Sequence, residues 1–228
     1  MKQELEKIIA KFESETGYKL TIRGGRPYYS GDLDLRDAEI TSLPKGLNVG
    51  GYLDLEDCTD LTSLPDGLTV GGYLYIRGTG ITSLPDDLKV GDNLDLRGTG
   101  ITSLPNGLEV KGDLNIRVLD ITSLPNDLKV GGSLLLSDTF ITSLPDGLTV
   151  NGALDLEDCK DLTSLPDGLT VGGYLDLRDS GITSLPKGLK VGGNLDLRGT
   201  GITSLPNDLK VGGKLDTRGL DITDTNLM

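Results

Sequence analysis

The chain has 228 residues, 35 acidic and 22 basic side chains, a formal charge of -13 and no histidine. Without histidine there is no Ser-His-Asp or Cys-His arrangement, no usual zinc ligand and not the commonest general base, so neither enzyme activity nor a cofactor or metal is expected. Residues 1–30 hold four acids and six bases, which leaves 31 acids against 16 bases downstream, the opposite of the field that phosphates require, so direct nucleic-acid binding is not expected.

The first element is an amphipathic helix from Met1 to about Thr16, with Leu5, Ile8, Ile9 and Phe12 at three- and four-residue spacing and Thr16-Gly17 as its stop. A repeat array needs a lid over its first coil, and this helix supplies one; a partner-binding helix is the other use of such a stripe. Tyr18 to Ile22 alternates like a short strand, and Gly24-Gly25-Arg26-Pro27 then turns the chain. The start is charged throughout, and no run of about twenty apolar residues exists anywhere, so the expected compartment is the cytoplasm, with no membrane contact.

From Gly31 onward one unit recurs, as in GNLDLRGTGITSLPNDLKVG from Gly193 to Gly212. Units begin at Gly31, Gly51, Gly72, Asp92, Gly112, Gly132, Gly152, Gly173, Gly193 and Gly213. A period of about twenty residues predicts a mainly-β, right-handed parallel solenoid of about ten coils, in which each coil buries its apolar face only against its neighbours. The chain thus divides into a cap and lead-in, 1–30, and a solenoid, 31–228, forming a single domain.

Within each unit the x-L-x-L stretch, such as Leu195 and Leu197, reads as a strand with both leucines inward. After two further residues a slot holds Ala38, Cys58, Thr79, Thr99, Leu119, Thr139, Cys159, Ser180, Thr200 and Leu220, all uncharged and therefore inward, with hydroxyls free to satisfy the backbone at the bend. The proline of T-S-L-P forbids a helix through the next corner. Leu-x-Val and a Gly-Gly corner close the coil. Cys58 and Cys159 sit five coils apart, about 24 Å at the spacing of stacked strands, so they are expected to be buried free thiols.

The run L-x-L-x-x-T-x-I-x-x-L-P, seen from Leu195 to Pro206, resembles the leucine-rich repeat signature in its short bacterial form ending in L-P. The resemblance covers residues 31 to about 223. Thr stands where the family usually has Asn, and the V-G-G corner resembles a coil of parallel β-helix. This likeness implies a parallel sheet of about ten strands and the binding of other proteins.

Outward columns are where a solenoid carries function. Asp recurs between the strand leucines at 34, 54, 95, 155, 176, 196 and 216, and Arg after the second leucine at 36, 77, 97, 117, 178, 198 and 218. Stacked like charges repel, and an Arg fork can offset this by reaching carboxylates on its own and adjacent coils. Val118, Leu135 and Phe140 break the pattern in two adjacent units, and Ser137 replaces an Arg there; an exposed apolar cluster of this kind points to a protein contact. Tyr52, Tyr73 and Tyr75 form a second candidate surface, with Tyr28 and Tyr29 expected beside them, although aromatic pairs also stabilise sheets. Asp57 with Asp60 is either a weak Ca²⁺ pair or a solvated turn. Thr217 takes an inward leucine position and the last unit lacks its L-P corner, which offers an edge for a homodimer unless its polar residues blunt it.

The function expected on these grounds is non-enzymatic binding of another protein through the outward strand face. One alternative is an acidic decoy that occupies a nucleic-acid-binding surface of another protein, with its excess charge at Asp66, Asp86, Asp87, Asp127, Asp146, Asp167 and Asp208. The other is a structural spacer roughly 50 Å long.

Overall fold

Alternating leucines give each coil a strand only two residues long, Leu33–Asp34 in the first and Leu215–Asp216 in the last, and these stack in parallel into one ten-stranded sheet. The computed structural model describes residues 2–223. Register is constant along the array: Leu53 pairs with Leu74, and Leu114 with Leu134, so like faces like. At about 4.8 Å per strand the sheet is roughly 43 Å long.

Inside, each coil contributes leucines, an isoleucine and a valine to columns that are almost fully buried, from Leu33, Ile40, Leu47 and Val49 in the first coil to Leu195, Leu197 and Ile202 near the end. A buried leucine contributes about 1.5–3 kcal/mol, and here only when the neighbouring coils are present to cover it. The uncharged slot is inward as expected. Thr79 and Thr139 donate their hydroxyls to the carbonyls three residues back, at 2.8 and 2.7 Å. Cys58 and Cys159 are free and buried, and their thiols donate to Leu35 and Leu136 of the preceding coil at 2.9 and 3.2 Å. Burial pushes both thiols up in pKa, away from the reactive thiolate.

The helix α1, Lys2–Thr16, lies over the first coil with Ile9 and Phe12 in the core and Leu5 at its margin. Ile8, expected on the same stripe, is exposed and lines a groove beside Ser42 to Lys45. Only the end of Tyr18–Ile22 becomes strand: β1, Thr21–Arg23, pairs antiparallel with β2, Arg26–Tyr29, around Gly24-Gly25, whose φ angles of 55° and 78° need glycine. At the far end Leu205, Leu209, Val211, Leu215 and Leu220 are only partly buried, since no later coil among the described residues covers them. Among the described residues no helix is long and apolar enough to cross a membrane.

Among the described residues the return path contains no helix. Its Leu-x-Val segments form a second parallel ladder that continues from β2 through Asn48–Val49 to Lys129–Val130, stops, and restarts as four strands from Thr149–Val150 to Lys210–Val211. The break has a local cause. At the glycine corners the residue after the valine donates its N–H to the preceding coil, at 2.8 Å from Gly91 to Val70 and 2.9 Å from Gly131 to Val110. A Cβ on Gly91 or Gly131 would collide with the carbonyl oxygen of the corner below, Gly71 or Lys111.

Two coils nevertheless carry a side chain there. Lys111 stretches its bond to Val90 to 3.4 Å, and at Asn151 the bond to Val130 is lost, with Nδ2 reaching the Gly131 carbonyl at 3.3 Å instead. Grooves of about 560 and 470 Å³ lie against these two corners. Replacing Asn151→Gly should therefore restore the bond and slow hydrogen exchange of the residue-151 amide. Global stability should change by under about 1 kcal/mol, because the backbone entropy of glycine offsets the hydrogen bond. An unchanged exchange rate at that amide would contradict the steric origin of the break.

Candidate functional site

Along the outer face Asp34, Asp95, Asp176, Asp196 and Asp216 are each gripped by the Arg two residues later. The Arg36 fork donates Nε and Nη2 to Asp34 at 3.0 and 2.7 Å, and Arg97 and Arg178 hold Asp95 and Asp176 at 2.6 and 2.7 Å. The forks also reach the next coil, with Arg36 at 3.5 Å from Asp54 and Arg178 at 3.8 Å from Asp196. Guanidinium groups lying across the carboxylates explain why Asp95 and Asp216 are buried although their positions point outward. The forks hold Asp34 and Asp216 below the usual carboxylate range. Their stabilising contribution is present above that range and is lost as pH falls through the lowered folded value.

The sixth coil departs from this lattice. Leu135 stands half-buried on the strand between Asn115 and Asp155, and Ser137 brings no guanidinium. The effect falls on the seventh coil, where Glu157 occupies the Arg position. Asp155, 8% exposed, has no ion pair among the described residues and accepts the Glu157 N–H at 3.2 Å. Burial pushes its carboxyl above the ordinary range, with Asp176 adding to the shift. The sign is opposite to that of Asp34: the charged form opposes folding at neutral pH, and the penalty fades on acidification.

Asp155, Glu157 and Asp176 bring carboxylate oxygens within 4.8 Å of one another, the one group of metal-ligand type among the described residues. The Arg178 Nη2 already lies 2.8 Å from Glu157 and 2.7 Å from Asp176, so a guanidinium holds the cation position. Asp57 and Asp60 form no such group.

A turn residue follows each strand with φ near +60°, as at Asp37, Asp57, Asp138, Asp158 and Asp179, or is a glycine, as at Gly78, Gly98, Gly199 and Gly219. Val118 occupies the same slot with φ 63°. Asp and Gly tolerate this conformation, whereas a β-branched side chain there is strained by on the order of 1–3 kcal/mol. Burial does not compensate, since Val118 is 70% exposed. In the next coil Phe140, 53% exposed, lies two residues beyond the equivalent slot. It lines a groove of about 460 Å³ with Asp138, Thr139, Asp158, Lys160 and Asp161. The fold thus brings Val118 and Phe140 to one edge on adjacent coils. Leu135 stands apart on the strand face, about 10 Å from that turn along the extended chain. Leu119 is buried, as its inward slot requires.

Tyr73 and Tyr75 stack with centroids 5.8 Å apart and planes at 22°, and Tyr52 is half-buried in the coil below, in register with Tyr73. Tyr28 and Tyr29 are not beside them. They lie in β2 on the return ladder, where Tyr29 meets Tyr18 edge-on at 5.4 Å and Arg23 covers the Tyr28 ring at 4.1 Å. Tyr174 belongs with Tyr52 and Tyr73 although it is not among the candidate residues: it is 45% exposed in the same column, and its G-G-Y-L context matches theirs.

Substituting Val118→Gly should raise the melting temperature by about 2–4 °C, because release of the turn strain exceeds the entropy cost of glycine. No rise would mean the valine sits there without strain. In comparisons with known proteins, no family model matches this chain and no curated protein is similar to it.

Proposed function

We propose that this solenoid is a non-enzymatic, cytoplasmic scaffold of the leucine-rich repeat type that binds another protein through its outward strand face and the turn edge beside it. The observation that carries this reading is the exposed, strained Val118 and, at the same edge of the adjacent coil, exposed Phe140, in coils whose interior is otherwise regular. Local strain that no internal packing repays tends to be kept where a ligand makes contact. Leu135 on the same strand face, and Tyr73 and Tyr174 elsewhere along it, extend the apolar surface that a partner could cover. The L-P ending and the Leu columns support the repeat type, and the helix-free return is its main departure.

The acidic-decoy alternative draws on the charge of -13. Its corner acids, however, are interrupted at Asn106-Gly107 and at Lys187-Gly188, and Lys45 pairs with Asp66 at 2.9 Å, so the charge does not run as an unbroken stripe. The test is capture from the native host. The wild-type chain should retain a protein in near-stoichiometric amount at moderate salt, and the Leu135→Asp, Phe140→Asp double variant should lose it while melting at an unchanged temperature. Retention by both chains rejects the site, and retention by neither rejects the scaffold.

A further inference from the structure

The edge that holds Phe140 also carries an uneven charge. Lys160 is the one base lining the groove, and its ammonium is committed to Asp158 at 2.7 Å and to the carbonyl of Asp179. Asp138 and Asp161 line the same groove and take part in no ion pair among the described residues. Asp120, in the coil below, is exposed and likewise unpaired. No cation stacks on Phe140 either; the one such contact in the described chain is Arg23 on Tyr28.

An aromatic face open to solvent beside unpaired carboxylates suits a planar cation, which can lie on the ring and donate to an acid at once. Val118, one coil away, offers an apolar contact to a neighbouring side chain of the same ligand. Resting on the scaffold reading above, we propose that this edge binds a cationic peptide segment, with an arginine seated between Phe140, Asp138 and Asp161 and an adjacent apolar residue placed over Val118. Charge complementarity selects such a segment over an acidic or neutral one, and the apolar contacts separate it from general attraction to an acidic protein.

The probe is a capped pentapeptide with one leucine between two pairs of arginines, titrated by fluorescence anisotropy into the full chain. The variant Val118→Gly with Phe140→Ser keeps every charge and leaves the interior intact, and it should weaken binding about tenfold. The variant Asp138→Asn with Asp161→Asn should weaken it comparably and flatten its salt dependence. Asn tolerates the positive φ of position 138, and cooperative melting at or above the wild-type temperature confirms that the variants fold. Equal affinity for wild type and either variant overturns the proposal, as does failure of the peptide to bind wild type. If the peptide fails while host-protein capture still depends on Leu135 and Phe140, the partner's chemistry is wrong and the scaffold stands.

Discussion

Everything in this molecule depends on coils that repeat in register at the spacing of hydrogen-bonded strands. Leu114 over Leu94 and under Leu134 is one instance of a contact made along the whole array, and neither the leucine columns nor the backbone ladders exist within a single coil. The same spacing dictates the corners. A carbonyl oxygen of one coil lies where a Cβ of the next would be, so the corner is glycine in most coils, and Lys111 and Asn151 mark where the ladder stretches and parts.

Register also governs the outer face. Stacking identical coils puts like charges one strand apart, and the Asp and Arg columns make this tolerable because each fork spans its own carboxylate and leans toward the next. The lattice is therefore sensitive to single substitutions. Leu135 and Ser137 carry no charge in the sixth coil, and with Glu157 in the seventh they leave Asp155 buried with no arginine on its own coil or on the coil below. Outward departures leave the core columns unchanged, so surface variation can accumulate without unfolding the array. The two coils with Val118 and Phe140 use that freedom, and Val118 does so at a measurable conformational cost.

Much of this was legible in the residues because the period is short and strict. The leucine columns, the uncharged slot with its two thiols, the cap helix and the ten strands all follow from reading one coil against the next. Other features depend on what a column alone does not state. That Asp95 and Asp216 are covered follows from how the Arg side chains fold back, and the break at Asn151 follows from a steric contact between backbones. The placement of Tyr28 and Tyr29 on the return ladder is not legible in the residues, because they lie in the lead-in, where no repeat fixes their register. The strain at Val118 was present in the alignment of units, since its slot otherwise holds Asp or Gly, but a list of outward residues does not reveal a positive φ.

If stacking in register is what holds the chain together, whole coils are removable and fractions of a coil are not. Deleting residues 173–212, two complete coils, should give a protein that still unfolds cooperatively and is shorter by about 10 Å in solution scattering, while deleting only 203–212 should not fold past the cut. Equal behaviour of the two deletions, or collapse of the two-coil deletion to a compact globule, would contradict the account.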